Sequence, residues 1–299
     1  MNKQLTPRQV ARAMGVSEAS LKRGCDRGLI PSVRTAGGHR RLDLGAVMQF
    51  LRESGRSLPS PEFLGLPSTV ARGPRVLATA GGEAVSALAT GDAERCRGLV
   101  FSLYVAGHSV AEIGDEVIAP AFAALGSQWR DGILAVYEER RACEIVIRIL
   151  HELRRALPRV ATDAPLAAGG TLSGDPYTVA NTMVEVVLRE AGWRTVNLGC
   201  GLPVAAIAAA VIDLRPQLLW LSLSEPGPAE GLPAGAAALA DALRATGTLV
   251  AAGGRAVGTD VLAALPGAVA TTGLQDLTIL ARAAAPQLAP PAAPASNGP

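Results

Sequence analysis

From residue 159 to 285 short apolar runs alternate with Ala-rich segments of helical period, and this alternation constrains the fold more than any other feature of the chain. Such a pattern is that of βαβ units, because parallel strands can be joined only through a crossover, usually a helix. Strands are predicted at 166–172, 195–198, 218–223, 248–252 and 268–271. Helices are predicted at 178–191, 204–214, 234–246, 259–264 and 274–285. The result is a doubly wound, five-stranded parallel sheet covered on both faces, whose ligands would bind outside the carboxyl ends of the strands.

The preceding region reads differently. Residues 77–158 are helical, with Asp92 placed to cap a run to 106, Ser109 a second, and 135–157 one long helix, together a four-helix bundle. Ahead of it, LPSPEFLGLPSTVARGPR breaks every helical period with Pro and Gly, so 57–76 reads as a linker. Residues 286–299 have nothing to bury and are expected to be a disordered tail. The apolar stretches are interrupted within about a dozen residues, short of the ~20 that a membrane helix needs. No signal-peptide pattern is visible, so a cytoplasmic protein without membrane association is expected. Cys25, Cys96, Cys143 and Cys200 lie far apart, which argues against a disulfide framework or a zinc site.

Charge singles out the first 56 residues. They hold eleven Lys and Arg against four acidic residues, a net +7, and leave −5 for the rest of a chain whose total is +2. A field concentrated in this way suits a module that faces phosphates, although solvated arginines on a small helical unit would give the same count. Thr6-Pro7 starts a helix, Gly15 breaks it, Ser17 caps a second helix to Asp26, and Gly28 ends that one. Residues 29–42 read as two short strands around a glycine turn, and Asp43 caps a third helix to about Arg52.

The segments GLIP, at 28–31, and RTAGGHRRL, at 34–42, resemble the winged helix-turn-helix head of MerR-type transcription regulators. The resemblance implies that residues 1–56 bind double-stranded DNA. Lys22 and Arg23 would face the major groove, and Arg34, His39, Arg40 and Arg41 would lie on or beside the wing against phosphates. Where that family places a large aromatic residue, this chain has Gly24.

Three segments of the α/β region stand at strand ends. Gly174-Asp175-Pro176-Tyr177-Thr178-Val179-Ala180 follows the first strand; 41 residues separate Ala180 from Ser222-Leu223-Ser224, and 28 more precede Gly253-Gly254. The spacing is similar to that of Rossmann-like cobalamin-binding domains, Asp-x-His-x-x-Gly, Ser-x-Leu and Gly-Gly. In that family the histidine ligates cobalt and the Asp orients it. Here Tyr177 stands in the histidine's place beside a retained Asp175. Ser222, Gly253 and Gly254 match, whereas Ala180 and Ser224 depart. In the bundle, Trp129 and Glu139, with nine residues between them, resemble the Trp-x9-Glu-His cap of light-sensing MerR regulators of the CarH and LitR type, with Arg140 in place of the last histidine. A core Trp and a solvated Glu would read the same way.

The resemblances imply a non-enzymatic transcription regulator whose bundle and sheet form a cobalamin-type sensor and a homo-oligomerisation unit, dimeric or tetrameric. Two ligand readings stay open: cobalamin held without the usual histidine ligand, or a different flat ligand or protein partners alone. A corrinoid-enzyme subunit is the third reading, and no metal site formed by protein ligands is expected.

Overall fold

The computed structural model describes residues 4–56, 58–66, 77–224, 232–265 and 267–285. The chain opens with β1 (Gln4–Leu5), α1 (Pro7–Ala13), α2 (Glu18–Asp26), β2 (Ser32–Arg34), β3 (Arg40–Asp43) and α3 (Leu44–Ser54). Thr6 caps α1 reciprocally with Gln9: its hydroxyl accepts from the Gln9 amide at 3.2 Å while Gln9 Oε1 accepts from the Thr6 amide at 2.8 Å. Ser17 caps α2 and Asp43 caps α3 through their side-chain oxygens. β2 and β3 form an antiparallel hairpin, and β1, too short to leave a pattern in the sequence, adds a third strand by pairing Leu5 with Leu42.

The expected linker divides in two. Residues 58–66 fold back on α1: Pro61–Leu64 forms one 3-10 turn, Leu58, Leu64 and Leu66 are buried, the Ser60 amide donates to the Ala13 carbonyl at 3.1 Å, and Arg12 lies 4.4 Å above the Phe63 ring. Three leucines supply enough apolar surface to order this stretch despite its prolines. Residues 67–76 and the tail at 286–299 lie outside the described residues.

Four helical segments follow: α4 (Leu77–Thr90), α5 (Ala93–Val105), the pair α6 (Val110–Ile113) and α7 (Ala119–Arg130), and α8 (Val136–Ala156). One π turn, Gly114–Ile118, joins α6 to α7. Pro120 lacks the amide that would bond the carbonyl one turn earlier, and its ring crowds that carbonyl, so the helix widens there instead of running straight from Ser109.

The sheet comprises β4 (Leu166–Leu172), β5 (Arg194–Leu202), β6 (Leu218–Ser222), β7 (Leu249–Gly253) and β8 (Ala268–Thr271), all parallel, in the order β5-β4-β6-β7-β8. The helices between and after them are α9 (Thr178–Glu190), α10 (Val204–Leu214), α11 (Leu232–Thr246), α12 (Thr259–Ala264) and α13 (Leu274–Ala284). β5 runs past its predicted end at 198, because Gly199 pairs with Gly170 and Leu202 with Leu172 across two register shifts that let glycine-rich backbone stay in the ladder.

Side chains alternate across the sheet with period two and so divide the core. Leu218 and Trp220 join a core that runs without a break through the bundle into the head, as far as Leu5 and Val10. Leu219 and Leu221 point the other way, into a separate core with Ile207 of α10 and Leu239 of α11.

The head is docked on the rest. A Cβ at Gly45 of α3 would lie 2.2 Å from the Leu157 carbonyl oxygen, so the backbone after α8 rests directly on α3. Seven residues on, Arg52 stacks 4.1 Å over the Tyr104 ring, donates to the Gly107 carbonyl at 3.2 Å, and pairs with Glu190 at the end of α9 at 3.2 Å. α8 and α9 therefore both end beside α3.

Candidate functional site

At the carboxyl end of β4 the loop before α9 is held by Asp175, which is buried. Its two carboxylate oxygens accept from the Tyr177 amide at 3.0 Å and the Ser224 amide at 2.6 Å. The carboxylate thus ties the β4 loop to the end of β6 and has no imidazole to hold. The Thr171 hydroxyl donates to the Asp175 carbonyl at 2.7 Å and accepts from the Gly201 amide at 2.9 Å, which fixes the same loop to β5. Tyr177 is half-buried, with the Arg255 guanidinium 5.9 Å from its ring centroid.

Arg255 directly follows Gly253-Gly254, so the third segment bends over the first. Ser222 is buried at the end of β6 and pairs with Gly253 in the ladder. Gly254 has φ of +112°, and a Cβ there would lie 2.1 Å from the Leu223 carbonyl oxygen. A glycine is thus required by close contact within the protein itself. Asp175, Tyr177, Ser222, Gly253 and Gly254 therefore meet at one end of the sheet.

Trp129 and Glu139 sit at the corner between α7 and α8. Trp129 is half exposed, and Ile133, Val136 and Tyr137 beside it are more exposed still. Glu139 accepts from the Cys143 thiol at 3.4 Å and pairs with Arg140 at 3.5 Å; burial, then the Glu139 carboxylate, pushes the Cys143 thiol up to about 12. Arg154 of α8 pairs with Glu185 of α9. At 1.5 Å per residue Thr178 lies about 10 Å along α9 from that pair, and Glu139 about 22 Å along α8.

Beneath the site runs a polar chain that the sequence did not reveal. Trp220 Nε1 donates to Asn181 Oδ1 at 2.7 Å, Asn181 Nδ2 donates to Asn197 Oδ1 at 2.8 Å and to the Gly199 carbonyl at 3.2 Å, and Asn197 Nδ2 donates to Glu185 at 3.2 Å. Glu185 then meets Arg154 of the bundle. Asn181 lies one turn after Tyr177, and that spacing was the only sequence signal for it.

The loop carries no imidazole at the position that the resemblance assigns to the cobalt ligand. Tyr177 stands there, and the carboxylate that would orient an imidazole accepts from two amides. Of the three histidines, His39 is in the head, His108 lies between α5 and α6, and His151 is exposed on α8.

In the head, Arg40 differs from the expectation. Its guanidinium donates to Asp26 and to the Lys22 carbonyl, stapling β3 to α2 instead of pointing outward. Lys22 pairs with Glu18 one turn earlier at 2.8 Å and stays half exposed. Arg23, Arg34 and His39 are exposed and Arg41 is partly so. One cation that sequence reading missed, Arg159 after α8, pairs with Asp43 at 3.3 Å and lines a groove with Arg41.

Residues 83–154 match the family model described as a B12 binding domain. No curated protein matches the chain. Among solved structures, the chain is similar to the monomethylamine corrinoid protein of Methanosarcina barkeri, with a TM-score of 0.55 and 14% identity over 67% of this chain and 95% of that one. A methanol:cobalamin methyltransferase complex of Methanosarcina barkeri gives a TM-score of 0.36 at 18% identity, over 67% of this chain and 77% of that one. A cobalamin-binding protein from Desulfitobacterium hafniense DCB-2 also gives 0.36, at 19% identity, over 70% and 98%. At 14% identity the first likeness is one of fold. Bundle and sheet together have a Rossmann-like corrinoid-protein fold, and no described helix is long and apolar enough to cross a membrane.

Proposed function

We propose that this protein is a cytoplasmic DNA-binding transcription regulator of MerR type, in which a winged helix-turn-helix head is governed by a corrinoid-sensing module that also assembles the chain into dimers or tetramers. The observation that carries the reading is the insertion of Arg52, from the basic head, between Tyr104 of the bundle and Glu190 of the sheet domain. α9 starts at the ligand loop and ends at this contact, so a shift of the loop reaches the head through one rigid helix.

The ligand is a corrinoid held without a protein ligand to its metal, taken up by Trp129 and Glu139 of the bundle and by the strand ends around Ser222, Gly253 and Gly254. The matched family model supports this class of ligand. No catalytic step is assigned to the chain. Arg23, Arg34 and Arg41 supply phosphate contacts, while α2 offers Lys22 to base edges.

To test this, the chain is mixed with adenosylcobalamin in the dark and gel-filtered, and its retention of promoter DNA is measured with and without the corrinoid. Stoichiometric visible absorbance that co-elutes with protein, together with a change in DNA retention, is the expected result. A colourless peak and unchanged retention would overturn the sensor reading, and no retention at any salt concentration would overturn the DNA reading.

The similarity to nearly the whole of a corrinoid protein favours a second reading, a corrinoid carrier subunit for an enzyme. Tyr177 argues against it, because carrier chemistry needs the metal's ligand field to be controlled.

A further inference from the structure

Opposite the hairpin, the head contains a groove of about 260 Å3. Asp26 turns toward β3 through Arg40, and at 100° per residue Gly24 falls about 160° and Arg27 about 100° around α2 from it, with Arg23 between the two faces; all three line the groove. Leu21, Ile30 and Phe50 form its floor, and Arg23, Arg27 and Arg56 its rim. No acidic side chain lines it among the described residues. Gly24 provides the opening, because a Cβ built there meets nothing within 4 Å. A glycine inside a helix costs about 0.5–1 kcal/mol relative to alanine, and no neighbouring atom demands one here.

The rim cations are not neutralised by one another's partners. Arg23 donates to the Ser20 hydroxyl at 3.0 Å and Arg56 lies 5.7 Å from the Phe50 centroid, both uncharged neighbours. Arg27 makes no ion pair among the described residues. An apolar, partly aromatic floor under three guanidiniums is complementary to a small molecule built the opposite way, with a flat or chain-like apolar body and one anionic end.

We propose that this groove is a second ligand site, separate from the corrinoid module, for small amphipathic anions of the aromatic or medium-chain carboxylate and sulfonate class. Because Arg23 is shared with the DNA-facing side of α2, an occupied groove weakens DNA binding; this clause alone rests on the DNA-binding reading.

The full-length protein is titrated with anilinonaphthalene sulfonate, followed by fluorescence, and the bound dye is challenged with decanoate. A saturable one-to-one component displaced by decanoate is expected. It should weaken at least ~10-fold in Gly24→Trp, which fills the groove, and several-fold in Arg27→Ala, which keeps the backbone and the floor. Ile279→Ala, which trims an exposed apolar side chain on α13, leaves it unchanged. Absence of a saturable component in the wild-type chain, or its survival in both groove variants, overturns the proposal. The titration contains no DNA, so its failure is distinct from failure of the wild-type chain to retain DNA. With DNA present, the dye should lower retention in the wild type and not in Gly24→Trp.

Discussion

Two adjacent arginines in the hairpin carry the same charge and different duties. Arg40 spends its guanidinium on Asp26 and the Lys22 carbonyl, whereas Arg41 lies partly exposed with one weak bond, 3.4 Å, to the Arg40 carbonyl. Arg40→Ala should therefore lower the thermal midpoint of the head, because α2 loses its tie to β3. Arg41→Ala should leave the midpoint in place, weaken DNA binding on all sequences, and reduce the slope of log K against log salt by about one. Thermal melts and salt-dependent gel retardation of the two variants separate these outcomes. Equal loss of DNA affinity with no change in either midpoint would return Arg40 to the phosphate-contacting set.

At the scale of elements, α9 links the candidate site to the rest. Asn181 accepts from the buried Trp220 indole, whereas the Asn197 side-chain oxygen it donates to also accepts from the Gly199 amide, so Asn181→Ala should cost about 1–3 kcal/mol for the one buried group left without a partner, measured by urea unfolding. The start of α6 gives a pH signature. Glu112 is held below the ordinary carboxylate range first by the Ser109 amide, with help from the Ser109 hydroxyl. Its contribution is complete above the unfolded-state pKa and is lost as pH falls through the lower folded value. Glu190, at the other side of this junction, is raised, first by burial, against the opposing pull of the Val110 amide and Arg52. Its linked contribution is complete below the unfolded-state pKa and is lost as pH rises through the folded one. Melting midpoints followed from pH 3 to 8 should fall less on acidification in Glu112→Gln and decline less on raising pH in Glu190→Gln than in the wild type.

For the whole molecule, the decisive contact is backbone against backbone. Gly45 admits the Leu157 carbonyl, and one methyl group there must push the head off the bundle. Gly45→Ala should cost about 1–3 kcal/mol, as overpacking does, and split a shared unfolding transition into an early melt of the head and a later one of bundle and sheet. Calorimetry reads this directly; a single unshifted transition would mean that the head is not held through α3. The same docking explains why one core extends from Leu5 to Leu277 although the chain reads as three separate textures.

Local chemistry was enough to write down most of the elements. Caps at Thr6, Ser17 and Asp43, alternation in the strands and helical period in the crossovers are properties of neighbouring residues, so the five strands and the helices that follow them were legible, as were the three loop segments at the strand ends. Contacts between residues distant in sequence were not. The pairing of β1, the folding of 58–66 onto α1, the diversion of Arg40 to Asp26, the capture of Asp175 by two amides and the meeting of Arg52 with Glu190 all depend on which surfaces face each other. A side chain's type states what it can bond to, and only the packed chain decides which partner is within reach.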